Sequence, residues 1–544
     1  MQGLMMTTPL TLTPVLERAG RLFPRKEIAS RTEDGGMHRY TYADFYARVH
    51  RLAWALERMG VKRGDRVGTL CWNGYRHLEL YFAVTCYGAV LHTLNLRLAA
   101  DQLGYIINHA DDSVIFADAS LVPLLDPIRG ELKGVRQIVV MDDDSEYERM
   151  LSASPAEPYP WPALDENEAC ATCYTSGTTG HPKGVLYSHR SMVLHSYALA
   201  MADSFALSER DTVLQLVPMF HANGWGIPYA AVMVGSKIVL SGRHLQSADI
   251  AQMIESERAT FTAGVPTLWM GLYAHLEHAK HDISSLRTIV AAGSALPRQF
   301  VELYEKKYGI RFMLAWGMTE TTPIMTVVAL KSHLESITGN ARYDLLARHG
   351  LPLAGADIRI VDELGQDLPW DGSTMGELQV RGPWVTCAYY NDPRGEERGQ
   401  NESFMGGWFR TGDVATIDHE GYIQIMDRTK DLVKSGGEWI SSVDLENAIM
   451  AHPKVIEAAV IAVPHPKWQE RPIACVALAP QYRGQVTKED ILDFLKDRVA
   501  KWWLPDDVIF IDAVPKTSVG KFNKRALREQ FKDYSLPGQS AQSV

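Results

Sequence analysis

Residues Tyr174 to Gly184 read YTSGTTGHPKG. Two hydroxyl pairs, Thr175 with Ser176 and Thr178 with Thr179, alternate with Gly177 and Gly180, and Lys183 with Gly184 closes the run. Glycines let the backbone turn its N–H groups toward one point, and hydroxyls add donors that carry no charge. Together they can wrap the oxygens of a polyphosphate, with Lys183 as the cation. The spacing is not that of a Walker A loop, which has four residues between its glycines and a Ser or Thr after its lysine. A flexible Ser/Thr/Gly surface loop would have the same composition. The flanks argue for the first reading: CATCY before the loop suggests an entering strand, and VLYSHRSMVLH after it a helix or second strand leaving.

Three other patterns of reactive residues carry bland readings. Cys170 and Cys173 form a C-x-x-C, but no second pair completes a zinc site, so both are expected to be buried structural thiols. His275, His278 and His281 recur at helical spacing among charged residues with no acid in the motif, which reads as a solvated helix face. Ser518 and Lys521 satisfy S-x-x-K, yet neither S-D-N nor K-T-G occurs elsewhere, which argues against a serine acylase.

The loop resembles the phosphate-binding signature of the adenylate-forming superfamily: acyl-CoA synthetases, luciferases and the adenylation domains of peptide synthetases. Four further motifs follow in that family's order: Ala315 to Thr321 (AWGMTET), Trp408 to Asp413 (WFRTGD), Asp427 to Asp431 (DRTKD) and Pro515 to Lys521 (PKTSVGK). The resemblance covers roughly residues 40 to 530. It is strongest to bacterial medium- and long-chain fatty acyl-CoA synthetases, and the related methylthiopropionyl-CoA synthetases share the same motifs.

That resemblance implies ATP, Mg2+ and coenzyme A as the molecules used, and it implies roles residue by residue. Lys521, Glu320 and Lys183 would be catalytic, with Lys521 bridging the substrate carboxylate and the α-phosphate during adenylation. Glu320, with Ser176, would ligate magnesium. The nucleotide would lie among Thr175 to Gly180, Lys183, the turn Gly293, Ser294 and Ala295, and the run Ala315, Trp316, Gly317, Met318 and Thr319. Asp413 would take the ribose hydroxyls and Arg428 the ribose or α-phosphate. His221, Trp225 and Gly226 would wall the acyl pocket, His221 as an aromatic wall rather than a base, because the acid arrives ionised. The Trp225–Gly226 pair can equally be core packing. Lys430 would be a hinge, and Lys434, Gly436, Gly437, Glu438 and Trp439 would line a tunnel for the coenzyme A thiol. The implied reaction is ATP-dependent acyl-CoA ligation. A carrier-protein-loading adenylation enzyme and a luciferase-like oxygenase are the alternatives, and the Gly437 to Ser442 loop favours free coenzyme A. Close relatives commonly form homodimers.

Bulk properties fit such an enzyme. Among 544 residues, 46% are hydrophobic and 22% charged, ordinary for a globular chain too long for a single core. A net charge of −10 argues against nucleic-acid binding. The first twenty residues lack a basic start followed by an apolar core, so no secretory leader is expected, and no window is apolar enough to span a membrane. Six cysteines fit a reducing cytoplasm.

The elements that must position these residues are legible as periodicity. Thr41 to Gly60 predicts an amphipathic helix, with Thr41 as cap, Asp44 in the first turn, and Phe45, Val49, Leu52, Leu56 and Met59 as its apolar stripe. Short apolar strands then alternate with helices through TIVAAG (288–293), which predicts largely parallel sheets covered by helices. Beyond about residue 350, turn-punctuated strands predict a small antiparallel barrel or sheet. From Lys430 a compact α+β unit is expected, with ILDFLKDRVAKWW as a helix and a polar, disordered tail SLPGQSAQSV. The expected fold is therefore α/β: a large N-terminal body (1–427) of mainly parallel sheets with a small β-barrel-like subdomain, a hinge (428–430), and a small mobile α+β C-terminal domain (431–544).

Overall fold

A computed structural model describes residues 1, 3–175, 181–294, 296–392, 403–436, 438–516, 522–532, 534 and 536, apart from the side chains of Met405 and Glu438. Two large sheets form the body of the described residues. One has six strands in the order Gln137–Met141, Asp112–Asp118, Arg66–Leu70, Val90–Thr93, Ala169–Tyr174 and Gly184–Ser188. Its pairings are parallel except the last, where Ala169–Tyr174 meets Gly184–Ser188 antiparallel. The candidate phosphate loop is thus the connection of a β-hairpin at the sheet's edge. A helix, His189–Ala200, follows, so the leaving segment is first strand and then helix.

The second sheet has nine strands, parallel through the centre (Arg311–Gly317, Thr288–Ala291, Phe261–Gly264, Thr212–Gln215, Lys237–Leu240, Glu27–Arg31) and antiparallel at both ends. One continuous apolar core runs beneath both sheets. The Tyr42–Arg58 helix lies on it as expected. Thr41 Oγ1 accepts from the Asp44 N–H at 3.2 Å and Asp44 answers the Thr41 N–H at 2.9 Å, a reciprocal cap. Phe45, Val49, Leu52 and Leu56 are fully buried.

A five-stranded antiparallel sheet follows, built on Asp357–Val361, Gly376–Arg381, Phe404–Met405, Trp408–Ile417 and Ile423–Arg428. Past it the apolar residues form separate clusters around Val433 to Val508 and around Ala459 to Leu536, distinct from the body's core. Their sheet centres on the long hairpin Val455–His465 and Gln469–Leu478. These are the α/β body and α+β C-terminal unit that the sequence predicts.

Three local expectations are corrected. The helix expected through Trp503 stops at Leu495, and Lys501–Trp503 is a separate short turn. The Arg471 guanidinium takes the carbonyls of Trp502 and Leu504 at 2.8 and 2.9 Å, groups that a continuing helix would have to use itself. The three histidines do not share one helix face, because that helix ends at Leu276. His281 instead meets Glu255, an acid from another helix, at 2.9 Å. Leu536, in the tail expected to be disordered, is buried; residues 537–544 lie outside those described. Cys170 and Cys173 are buried, and burial pushes their thiols up, that of Cys173 to about 11.

Candidate active site

The main cavity, about 960 Å3, lies where the two parallel sheets, the antiparallel sheet and the C-terminal unit meet. It gathers most of the residues singled out above: Thr175, Lys183, His221, Trp225, Gly293, Ser294, Ala315 to Glu320, Asp413, Arg428 and Lys430. They come from strand ends and turns far apart in sequence, as expected for a site at the edges of open sheets.

At the phosphate end, the hairpin holds its own loop closed. The Thr175 N–H donates to the Lys183 carbonyl at 2.9 Å, and the Lys183 N–H donates to Thr175 Oγ1 at 3.1 Å. The Lys183 ammonium lies 4.4 Å from the Tyr389 ring centroid. His181, also lining the cavity, stacks on Tyr105 at 4.5 Å. Ser176 to Gly180 lie outside the described residues, as do Ala295, Gly437 and Lys521. Lys516 and Phe522, which bracket Lys521 and bridge to one another, both line the cavity.

Glu320 sits in the Thr319–Thr321 turn with 6% of its surface exposed. The Tyr389 hydroxyl donates to its Oε1 at 2.8 Å. Burial pushes its carboxyl above the usual range, against the opposing pull of Tyr389, Arg428 and Lys183. A buried carboxylate facing a phosphate site is short of positive charge, which fits a Mg2+ ion. No group of three or more His, Cys, Asp or Glu able to hold a metal exists among the described residues. Mg2+ characteristically needs only one or two carboxylates when phosphates and water complete its shell.

Asp413 is fixed from two sides. Trp316 Nε1–H donates to its Oδ2 at 2.9 Å and the Arg428 guanidinium meets its Oδ1 at 2.6 Å. The register explains the second contact, since Asp413 and Arg428 are directly opposed on adjacent antiparallel strands. Asp413 in turn raises the Arg428 pKa. Trp316 and the Ala292–Ser294 turn, where Gly293 takes φ +96°, wall the same end.

At the opposite end, His221 introduces five consecutive residues with positive φ, Ala222 to Gly226 (44, 51, 62, 59 and 71°). A left-handed turn costs non-glycine residues about 1–2 kcal/mol each, so tertiary packing must hold it. Cys173 Sγ donates to Asn223 Oδ1 at 3.4 Å from the sheet beside it. Trp225 lines the cavity while Gly226 does not. Gly226 presses on His195, whose Nδ1 would be 2.7 Å from an added Cβ.

The coenzyme A loop is not brought to this cavity. Lys434, Gly436 and Trp439 belong to the hairpin of Val433–Ser435 and Glu438–Ile440, whose Lys434 ammonium lies 5.8 Å from the Trp439 ring. The sequence reading missed Tyr389, which touches both Glu320 and Lys183, and His349, Glu446 and Lys524 in the cavity wall. None belongs to a motif used above, and only the folded chain puts them beside the others.

Comparison with known proteins decides the family. The AMP-binding enzyme model matches residues 16–390, and the AMP-binding enzyme C-terminal domain matches residues 444–521. The chain belongs to the AMP-binding enzyme family. This AMP-binding enzyme is 50% identical to the long-chain-fatty-acid–CoA ligase of Thermus thermophilus, over 97% of each chain. It is 43% identical to the 3-methylmercaptopropionyl-CoA ligase of Ruegeria lacuscaerulensis, over 98% of this chain and 99% of that one. Among solved structures, ATP-bound MatB from Rhodopseudomonas palustris superposes with a TM-score of 0.84 at 27% identity, covering 97% of this chain and 99% of that one.

Proposed function

We infer that the protein is an AMP-forming acyl-CoA ligase acting on fatty acids of medium or long chain. It uses ATP and coenzyme A. In the first step a carboxylate oxygen of the acid attacks the α-phosphorus of ATP; the bond to the β-phosphate oxygen breaks and pyrophosphate leaves. In the second, the coenzyme A thiol, losing its proton, attacks the acyl carbonyl and AMP leaves. The observation that carries this reading is the single cavity in which Lys183, Arg428 and Glu320 face a Trp316–Asp413 corner, with Trp225 across from them.

Both reactants of the first step are anions, so charge neutralisation and alignment matter more than proton transfer. Lys183 and the Thr175 to Gly180 loop serve the phosphates, Asp413 the ribose, and Arg428 the α-phosphate side. Glu320, with Ser176, would hold Mg2+, whose bound charge would offset that of the β- and γ-phosphates. Lys521 acts on the carboxylate and α-phosphate, a role supported by the cavity-lining positions of its neighbours Lys516 and Phe522. Trp225 and His221 wall the acyl end. Residues 1–427 form the body, 428–430 a hinge pivoting at Lys430, and 431–544 a mobile C-terminal unit. Rotation of that unit would bring Lys434 to Trp439 to the adenylate, which is consistent with their distance from the cavity here.

A second substrate, 3-(methylthio)propionate, is favoured by the 43% identity to a 3-methylmercaptopropionyl-CoA ligase. No helix among the described residues is long and apolar enough to cross a membrane. With its buried free thiols, the chain is suited to the cytoplasm, and a homodimer belongs to the same reading. The deciding experiment incubates the protein with ATP, Mg2+, coenzyme A and a panel of fatty acids beside 3-(methylthio)propionate, and analyses the products by mass. Thioester with stoichiometric AMP is expected; ADP in place of AMP, or no thioester from any acid, overturns the reading.

A further inference from the structure

His349 belongs to no motif of the sequence, yet it lines the nucleotide end of the cavity. Its backbone is locked: the His349 N–H donates to the Ile423 carbonyl at 2.9 Å, and its own carbonyl accepts the Thr326 hydroxyl at 2.6 Å. The next residue, Gly350, takes φ +87° and passes so near Val327 that a Cβ would lie 2.0 Å from that residue's carbonyl carbon. The imidazole is locked as well, because Nδ1 accepts the Ile425 N–H at 3.2 Å. A ring nitrogen that accepts carries no proton, so the proton of the neutral ring sits on Nε2. Burial holds the ring neutral, lowering its pKa to about 4. Among the described residues nothing bonds Nε2, and it is absent from the fully enclosed unpartnered atoms. Its N–H therefore has the cavity as its open side.

Register says what lies there. Arg428 opposes Asp413, and Ile425 opposes Ala415 further along the same strand pair. Moving from Arg428 to Ile425 leads away from the phosphate side, past the proposed ribose position, toward the base. Trp316, bonded to Asp413, supplies an aromatic wall at that end. A fixed donor beside an aromatic wall matches a purine, whose face stacks and whose ring nitrogens accept.

We propose that His349 is a nucleotide-binding residue whose Nε2–H donates to a ring nitrogen of the adenine base. The inference rests on the nucleotide site proposed above. The test measures pyrophosphate release by the full-length protein with a medium-chain acid and ATP, 1-deaza-ATP, 3-deaza-ATP or 7-deaza-ATP. Each analogue replaces one ring nitrogen by C–H. One analogue is expected to raise the nucleotide KM about three- to tenfold in the unaltered protein, the range for losing one hydrogen bond, while the KM for the acid stays put. His349→Phe should raise the KM for ATP by a similar factor and erase the difference between ATP and that analogue. A purely structural histidine would not make one analogue selectively worse. Equal KM values for ATP and all three analogues overturn the inference, as does a penalty that persists undiminished in His349→Phe. Failure to release pyrophosphate from ATP with any acid would instead sink the ligase reading itself.

Discussion

At the scale of single residues, the site is set by charges whose partners are absent until substrates bind. Glu320 is the clearest case, a carboxylate pushed above its usual pKa by burial, with the Tyr389 hydroxyl donating to one oxygen. A raised carboxyl pKa means that the folded state binds a proton more readily than the unfolded one. The charged form therefore costs stability progressively as pH rises from the unfolded pKa through the folded one. Glu320→Gln should consequently raise the thermal midpoint of the ligand-free protein at pH 7.5. The same change should abolish the part of ATP-induced stabilisation that depends on Mg2+ and cut pyrophosphate release about 10²–10³-fold, the scale of one preorganised group. Unchanged Mg2+ dependence in a calorimetric and kinetic titration would remove Glu320 from the metal. Trp225, 4% exposed, tests the acyl end. Trp225→Ala should shift the preferred acyl length in a graded way, since one methylene is worth about 1–3 kcal/mol of discrimination, with ATP KM nearly constant. Lost thermal stability with an unchanged length profile would make Trp225 core.

At the scale of elements, the contacts flanking Lys430 are the informative ones. Asp427, on the strand before it, accepts the Ser442 N–H at 2.7 Å and the Ser442 hydroxyl, while Ser441 Oγ–H donates to the Met426 carbonyl at 2.6 Å. Those serines start the helix Ser442–Met450, beyond the proposed pivot. Glu446 of that helix pairs with Lys524 at 2.8 Å, their side chains 6% and 10% exposed, and Lys524 also bonds Ser442. Burial pushes the Glu446 carboxyl up to about 7 even with this partner. Rotation about Lys430 would have to break the Asp427 contacts and spare the Glu446–Lys524 pair. Asp427→Asn should therefore slow adenylate formation several-fold while a supplied acyl-adenylate is thioesterified as fast as before or faster, read by rapid quench. Lys524→Met should destabilise the protein by about 3–5 kcal/mol by stranding a buried charge, and adding Glu446→Gln should recover much of that loss in denaturant unfolding.

At the scale of the whole molecule, the two half-reactions make opposite demands on one small unit. Lys521→Ala should lose adenylation by about 10²–10³-fold or more yet still convert supplied acyl-adenylate and coenzyme A to thioester. Lys430→Pro fixes φ at the pivot and should do the reverse, forming adenylate while the thioester step stalls. Both half-reactions are followed separately, by pyrophosphate release and by thioester mass. Equal loss of both in two folded variants would refute alternation of the C-terminal unit.

Periodicity and turn chemistry were enough, in the sequence alone, for the parallel strands, the Thr41-capped helix, the hairpin that carries the phosphate loop, and the change to antiparallel strands beyond residue 350. Each depends on residues close in the chain, where side-chain direction repeats every two or 3.6 positions. Local preference could not reveal where the Lys488–Leu495 helix stops, since the carbonyls beyond it are claimed by Arg471 from a distant strand. Nor could it show that Ala222 to Gly226 turn left-handed, a conformation that only packing against Cys173 and His195 can hold. Motif residues could be named from type and order, but Tyr389 and His349 could not, because neither side chain carries a local signal of its use. Their roles come from what faces them: Glu320 and Lys183 for one, the Ile425 N–H and an open cavity for the other. Chemistry of residue type is written along the chain, whereas partnership across tens or hundreds of residues exists only once the sheets have stacked and their strand ends have met.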